Sequence, residues 1–158
     1  MSTPSGRSYV IPASPTHRMV ISGFKPQSHT EAEQMSAVLD DHGVLLNGCR
    51  LELFRSPQQH KGHSDSGSNI LNIIQADSNV TPLNTTALFF FLANPEFAAA
   101  FADAVIVLFP GTIHLRDDGV SCFWGMMKGP DNAWSMFAYP VTIEYNKDVA
   151  FAVLRKKP

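Results

Sequence analysis

His63, Ser64 and Asp65 stand in a polar segment that follows a strand-like stretch, and His114 comes just past the apolar run Val105 to Phe109 and the pair Pro110-Gly111. Together they supply two imidazoles and one carboxylate. That set occupies one face of a mononuclear non-haem iron(II) ion and leaves the remaining positions open for chemistry. Three donors at about 2 Å from one ion require both segments to reach the same point in the fold. Triplets of the form His-x-acid also arise by accident in a chain with 6 histidines and 14 acids, so each residue has a structural reading beside the metal-binding one. Asp65 can cap a turn through its side chain. His114, at a strand end, can be a satisfied half-buried histidine. His60 reads as solvated, and His17, His29 and His42 sit beside an arm, a helix start and a helix end.

The elements that must position these groups are mostly short strands. Arg18 to Phe24 reads as one, and Thr30 with Glu33 forms a capping box that opens a helix over Glu31 to Asp41, ended by Gly43. Val44 to Leu46, Asn47-Gly48 and Cys49 to Arg55 predict a β-hairpin, because Asn-Gly between β-formers favours a type I′ turn. Ser56 to Asn69 is long and polar for a loop. Ile70 to Gln75 and Thr86 to Leu92 are predicted as strands, the second apolar enough to be covered on both faces. Asn94-Pro95-Glu96 starts a short helix that runs to about Ala102. Val105 to Phe109 is a buried strand, Pro110-Gly111 a turn, and Arg116 to Gly119 a second, polar turn. Val120 to Met127, Ser135 to Tyr139, Val141 to Tyr145 and Val149 to Leu154 complete the set. The fold class is therefore mainly β, a jelly-roll or double-stranded β-helix sandwich with one to three short helices.

Composition narrows the functional classes. The 158 residues make one β-rich domain over 18–158, preceded by an extended Ser/Pro-rich arm over 1–17. With a net charge of −2 and 12 scattered basic residues, the chain has no nucleic-acid patch and no footprint for an anionic membrane. The arm has no apolar core of a secretion signal, and the longest apolar stretch, Ala87 to Ala93, is too short to span a bilayer. Cys49 and Cys122 have no metal-knuckle or redox spacing and read as small core residues, in keeping with a reduced, cytoplasmic setting. Charged residues are only 16% of the chain, below the roughly 25% of ordinary soluble domains, and phenylalanine occurs 11 times. That balance suits a β-rich core or a surface that meets partners.

The segments RLELF, SPQQHKG, HSD and ILNIIQADSN, followed by VIVLFPGTIH, resemble the double-stranded β-helix core of the 2-oxoglutarate- and iron(II)-dependent dioxygenases, especially the prolyl-hydroxylase-like branch. The resemblance covers about Cys49 to Met127. It implies iron(II) ligands at His63, Asp65 and His114, 2-oxoglutarate as cosubstrate, and hydroxylation of a small molecule or a protein side chain, with Trp124 walling the pocket above the metal. The family places an Arg or Lys on the strand after the distal histidine to pair with the cosubstrate carboxylate. Val120 to Met127 has none, which leaves Lys128 and Arg116 as the nearest cations. The strand-Pro-Gly-x-x-His pattern is also similar to the second half of the cupin signature, with His60, His63 and His114 as metal ligands. A reading of a different class is a non-catalytic β-sandwich that works by association, such as a virion or secretion component. Its Pro/Ser-rich arm would reach a neighbouring subunit in a homo-oligomer.

Overall fold

The computed structural model describes residues 8–11, 24–29, 35–40, 43–46, 48–98 and 101–156. In chain order the elements are β1 (Ser8–Ile11), β2 (Phe24–His29), β3 (Met35–Asp40), β4 (Gly43–Leu46), β5 (Cys49–Phe54), α1 (Pro57–His60), β6 (Asp65–Ser66), α2 (Gly67–Ala76) and β7 (Val80–Pro82). They continue with α3 (Thr85–Ala93), α4 (Pro95–Ala98), β8 (Ile106–Arg116), β9 (Ser121–Lys128), β10 (Trp134–Pro140), β11 (Glu144–Tyr145) and β12 (Val149–Arg155). Ten strands form one sheet in the order β1-β3-β4-β5-β12-β8-β9-β10, with β2 beside β8 and β7 beside β12; β6 and β11 make a separate two-stranded ribbon. The chain is mainly β. Among the described residues, α2, α3 and α4 pack on the sheet through Ile70, Ile74, Leu88, Phe91 and Phe97.

Alternation along the strands sorts side chains to two faces. Val107, Phe109, Trp124, Met126, Ala150 and Ala152 pack on one side with α3 and α4, through Leu88, Phe91 and Phe97. Leu108, Phe123, Val149, Phe151 and Val153 pack on the other side with Ile70 and Ile74 of α2. The α3 helix lies against β1, β8, β9 and β10. Because β1 and β10 are the two ends of the strand order, the sheet curves around this helix. The buried residues of α3 are Thr85, Ala87, Leu88 and Phe91, and its apolar residues spread around the helix rather than along one stripe.

Two predicted strands are therefore helices. In Ile70 to Gln75 the buried residues Ile70 and Ile74 are one helical turn apart, and the Ser66 hydroxyl caps the helix by accepting from the Asn69 amide at 3.1 Å. In Thr86 to Leu92 the apolar run belongs to α3, whose N-cap Asn84 accepts from the Ala87 amide at 3.2 Å. The helix expected over 31–41 is replaced over its described part by β3, which pairs with both β1 and β4. Its proposed capping residues Thr30 and Glu33 lie outside the described residues, as do 18–23 of the first expected strand. Four helices are described instead of one to three. Part of the N-terminal arm, Ser8–Ile11, pairs with β3 of its own chain, and the rest of 1–17 lies outside the described residues.

The hairpin around Gly48 forms as expected, with Leu46 opposite Cys49 and Gly48 at φ 77°. Pro110-Gly111 is not a turn. The β8 strand runs through it, with a register shift between Phe109 and Ile113 against β9. Gly111 is needed there because β7 passes close by: a Cβ would fall 2.7 Å from the Leu83 and Pro82 backbone, and the Gly111 amide donates to the Leu83 carbonyl. The polar turn at Arg116 to Gly119 is present, whereas Val141 to Tyr145 contributes only Glu144–Tyr145 as strand. No helix among the described residues is long and apolar enough to cross a membrane.

Candidate functional site

The segment Ser56 to Asn69 is ordered by local chemistry. Ser56 and Gln59 form a reciprocal capping box with Pro57 at the first turn, and this makes the short helix α1. Gly62, at φ 84°, turns the chain out of it. His63 follows, its amide donating to the Gln58 carbonyl at 3.0 Å while its side chain is exposed; His60 is exposed as well. Asp65 lies opposite Tyr145 in the small ribbon and is 8% exposed. Both its carboxylate oxygens accept from the Asn69 side-chain amide, at 2.9 and 3.0 Å. The carboxylate thus holds the first turn of α2, close to the capping role open to it from sequence.

His114 lies elsewhere. It sits on β8 beyond the register shift, opposite Cys122, and is 1% exposed. Its ring meets the edge of Trp124 at a centroid distance of 6.1 Å. Trp124 belongs to the cluster beneath α3, whereas Ile113, one residue before His114, faces the α2 side. Asp65 is on that α2 side, beside Tyr145. His114 is thus packed against Trp124, Asp65 is bound to Asn69 beside Tyr145, and the His63 side chain is exposed. Among the described residues no group of three or more His, Cys, Asp or Glu side chains is placed to hold a metal ion. The trio His63, Asp65 and His114 does not fit a single iron(II), and His60 with His63 and His114 fits no better. Trp124, expected to wall a metal pocket, is a buried core residue at 7% exposure.

The two expected carboxylate anchors also diverge. Arg116 is bound through two hydrogen bonds to Asp118, at 2.9 and 2.8 Å, across the polar turn. The hydrogen bond raises the arginine pKa and lowers that of Asp118. Arg116 is thus occupied by its neighbour. Lys128 ends β9 directly opposite Trp134, the first residue of β10. Its ammonium lies 5.6 Å from the centre of the Trp134 ring and donates to the Ala102 carbonyl at 3.4 Å. Beside it opens a cavity of about 430 Å³ lined by Phe91, Leu92, Pro95, Ala102 and Trp134 together with Lys128. The sequence signal for this neighbourhood is the turn Gly129-Pro130-Asp131-Asn132, which forces Lys128 and Trp134 side by side. The helix residues that complete it come from an apolar run predicted as strand.

No protein-family model, curated protein or solved structure matches the chain. The likeness to the dioxygenases rests on the segments RLELF to VIVLFPGTIH alone.

Proposed function

We propose that the protein is a non-catalytic interaction protein that associates with a second copy of itself through the outer edge of β10. The carrying observation is the character of that edge. Among the described residues β10 pairs only with β9, which leaves one row of its backbone groups without a ladder. Edge strands that stay single usually carry charge or a bulge. The β10 sequence WSMFAYP has no charged residue. Phe137 is 42% exposed, faces Gly125 across the ladder, and stacks edge-on with Tyr139 at 6.4 Å; Ile143, just beyond the strand, is 43% exposed. An uncharged strand can meet its own copy antiparallel without opposing like charges, which gives a closed two-fold dimer.

Light scattering over a range of protein concentrations tests this reading. The expected result is a dimer that dissociates on dilution and is lost in Phe137→Asp, with the circular dichroism spectrum unchanged. A wild-type protein that is monomeric at every concentration, or a dimer that survives Phe137→Asp, would overturn it.

A further inference from the structure

We propose that the cavity beside Lys128 binds a small amphipathic carboxylate, with its hydrocarbon body against Phe91, Leu92 and Trp134 and its head on the Lys128 ammonium. This site is on the α3 face of the sheet and does not depend on the association of β10. Its volume of about 430 Å³ falls in the range of small-molecule sites, about 300–1,000 Å³. The walls supply an apolar floor: Phe91 is buried in the core, edge-on to Phe90 and Phe101 and tilted against Phe97. Close packing of these rings means that little ordering is needed when a ligand enters.

The charge at the rim selects the head group. Every arginine whose side chain is described is tied to an acid: Arg50 to Asp40, Arg55 to Asp103, Arg116 to Asp118 and Arg155 to Glu52. Lys128 takes part in none of these pairs. It is instead held by an indole face and a carbonyl, both of which position an ammonium without neutralising it. Asn132, also at the cavity, adds an amide donor within the same turn. One cation above an apolar floor matches a monocarboxylate with a chain. A compact dicarboxylate such as 2-oxoglutarate would bring a second charge onto apolar walls.

Calorimetric titration with octanoate, octanol and 2-oxoglutarate tests the assignment on the full chain. Saturable octanoate binding is expected, with octanol and 2-oxoglutarate each weaker. Lys128→Met keeps the stem and removes the charge. It should weaken octanoate about tenfold, the loss of one charge-assisted contact, and leave octanol unchanged. Ala102→Phe should fill the cavity and abolish binding of both. No octanoate binding, equal binding by Lys128→Met, or binding that survives Ala102→Phe would each overturn the proposal, as would 2-oxoglutarate binding more tightly than octanoate.

Discussion

The buried side-chain amide of Gln59 donates to the carbonyls of Asn146 and Val149, at 2.8 and 2.9 Å, and so fastens the helix α1 to the start of β12. Its own carbonyl oxygen accepts from the Ser56 amide at 2.8 Å. One glutamine therefore closes both the α1 cap and a contact across most of the chain, which is why a run of polar residues is ordered there.

Replacement of Gln59 by leucine leaves the Ser56 amide and two carbonyls without these partners. Each buried orphan costs about 1–3 kcal/mol. The expected loss is at least about 2 kcal/mol in urea denaturation, read as a lower midpoint with an unchanged slope. A midpoint equal to wild type would show that water replaces the amide at no cost.

Tyr145 predicts a dependence on alkaline pH. Burial pushes its phenol above the ordinary tyrosine value, with smaller contributions from the negative forms of Cys122 and Tyr139. Above about pH 10 the unfolded chain gives up this proton while the folded chain keeps it, so stability falls as pH rises. Tyr145→Phe should flatten the fall between about pH 9 and about pH 11 and, by removing the 2.5 Å hydrogen bond to the Pro140 carbonyl, lower stability by about 1 kcal/mol near neutral pH. Chemical denaturation across that range compares the two proteins. The raised thiol of buried Cys122 and the raised phenol of Tyr139 are present in both proteins, so some alkaline fall remains in the variant.

The separate surroundings of His63, which is exposed, Asp65, bound to Asn69, and His114, packed against Trp124, predict that anaerobic iron(II), with or without 2-oxoglutarate, leaves the denaturation midpoint unchanged. A ligand at a hundred times its Kd adds about 2.7 kcal/mol to the folded state. A gain of that order, abolished by His63→Ala, would instead restore a three-donor site.

What the sequence discloses depends on how local the deciding force is. The hairpin at Gly48, the strands Ser121–Lys128, Trp134–Pro140 and Val149–Arg155, and the turn after Arg116 follow from turn residues and alternation, which act over a few positions. Met35–Asp40 is a strand because β4 folds back on it in a tight hairpin and β1, far earlier in the chain, pairs along its other edge, and together these pairings outweigh the helix-start signals nearby. Thr85–Ala93 is apolar on every side, so its periodicity cannot separate helix from buried strand; Asn84, three positions before Ala87, is the one local cue. The surroundings of the proposed metal trio were hidden at the same level. Residue types were visible, but the register of His114 depended on a shift between Phe109 and Ile113, and Asp65 joined a separate ribbon with Tyr145. Lys128 was legible as a cation, and its aromatic and helical neighbours were not.

The position of β12 has a consequence for biosynthesis. This strand comes after every other element described, yet it lies between β5 and β8, with Phe151 opposite Phe54 and Leu108. A nascent chain that has not yet emerged past Val149 holds two half-sheets, one bordered by Leu51, Leu53 and Phe54 of β5 and the other by Ile106 to Leu108 of β8. Such borders are templates for pairing with other chains. Emergence of β12 is thus the step that closes this sheet, and chaperone demand should peak just before it.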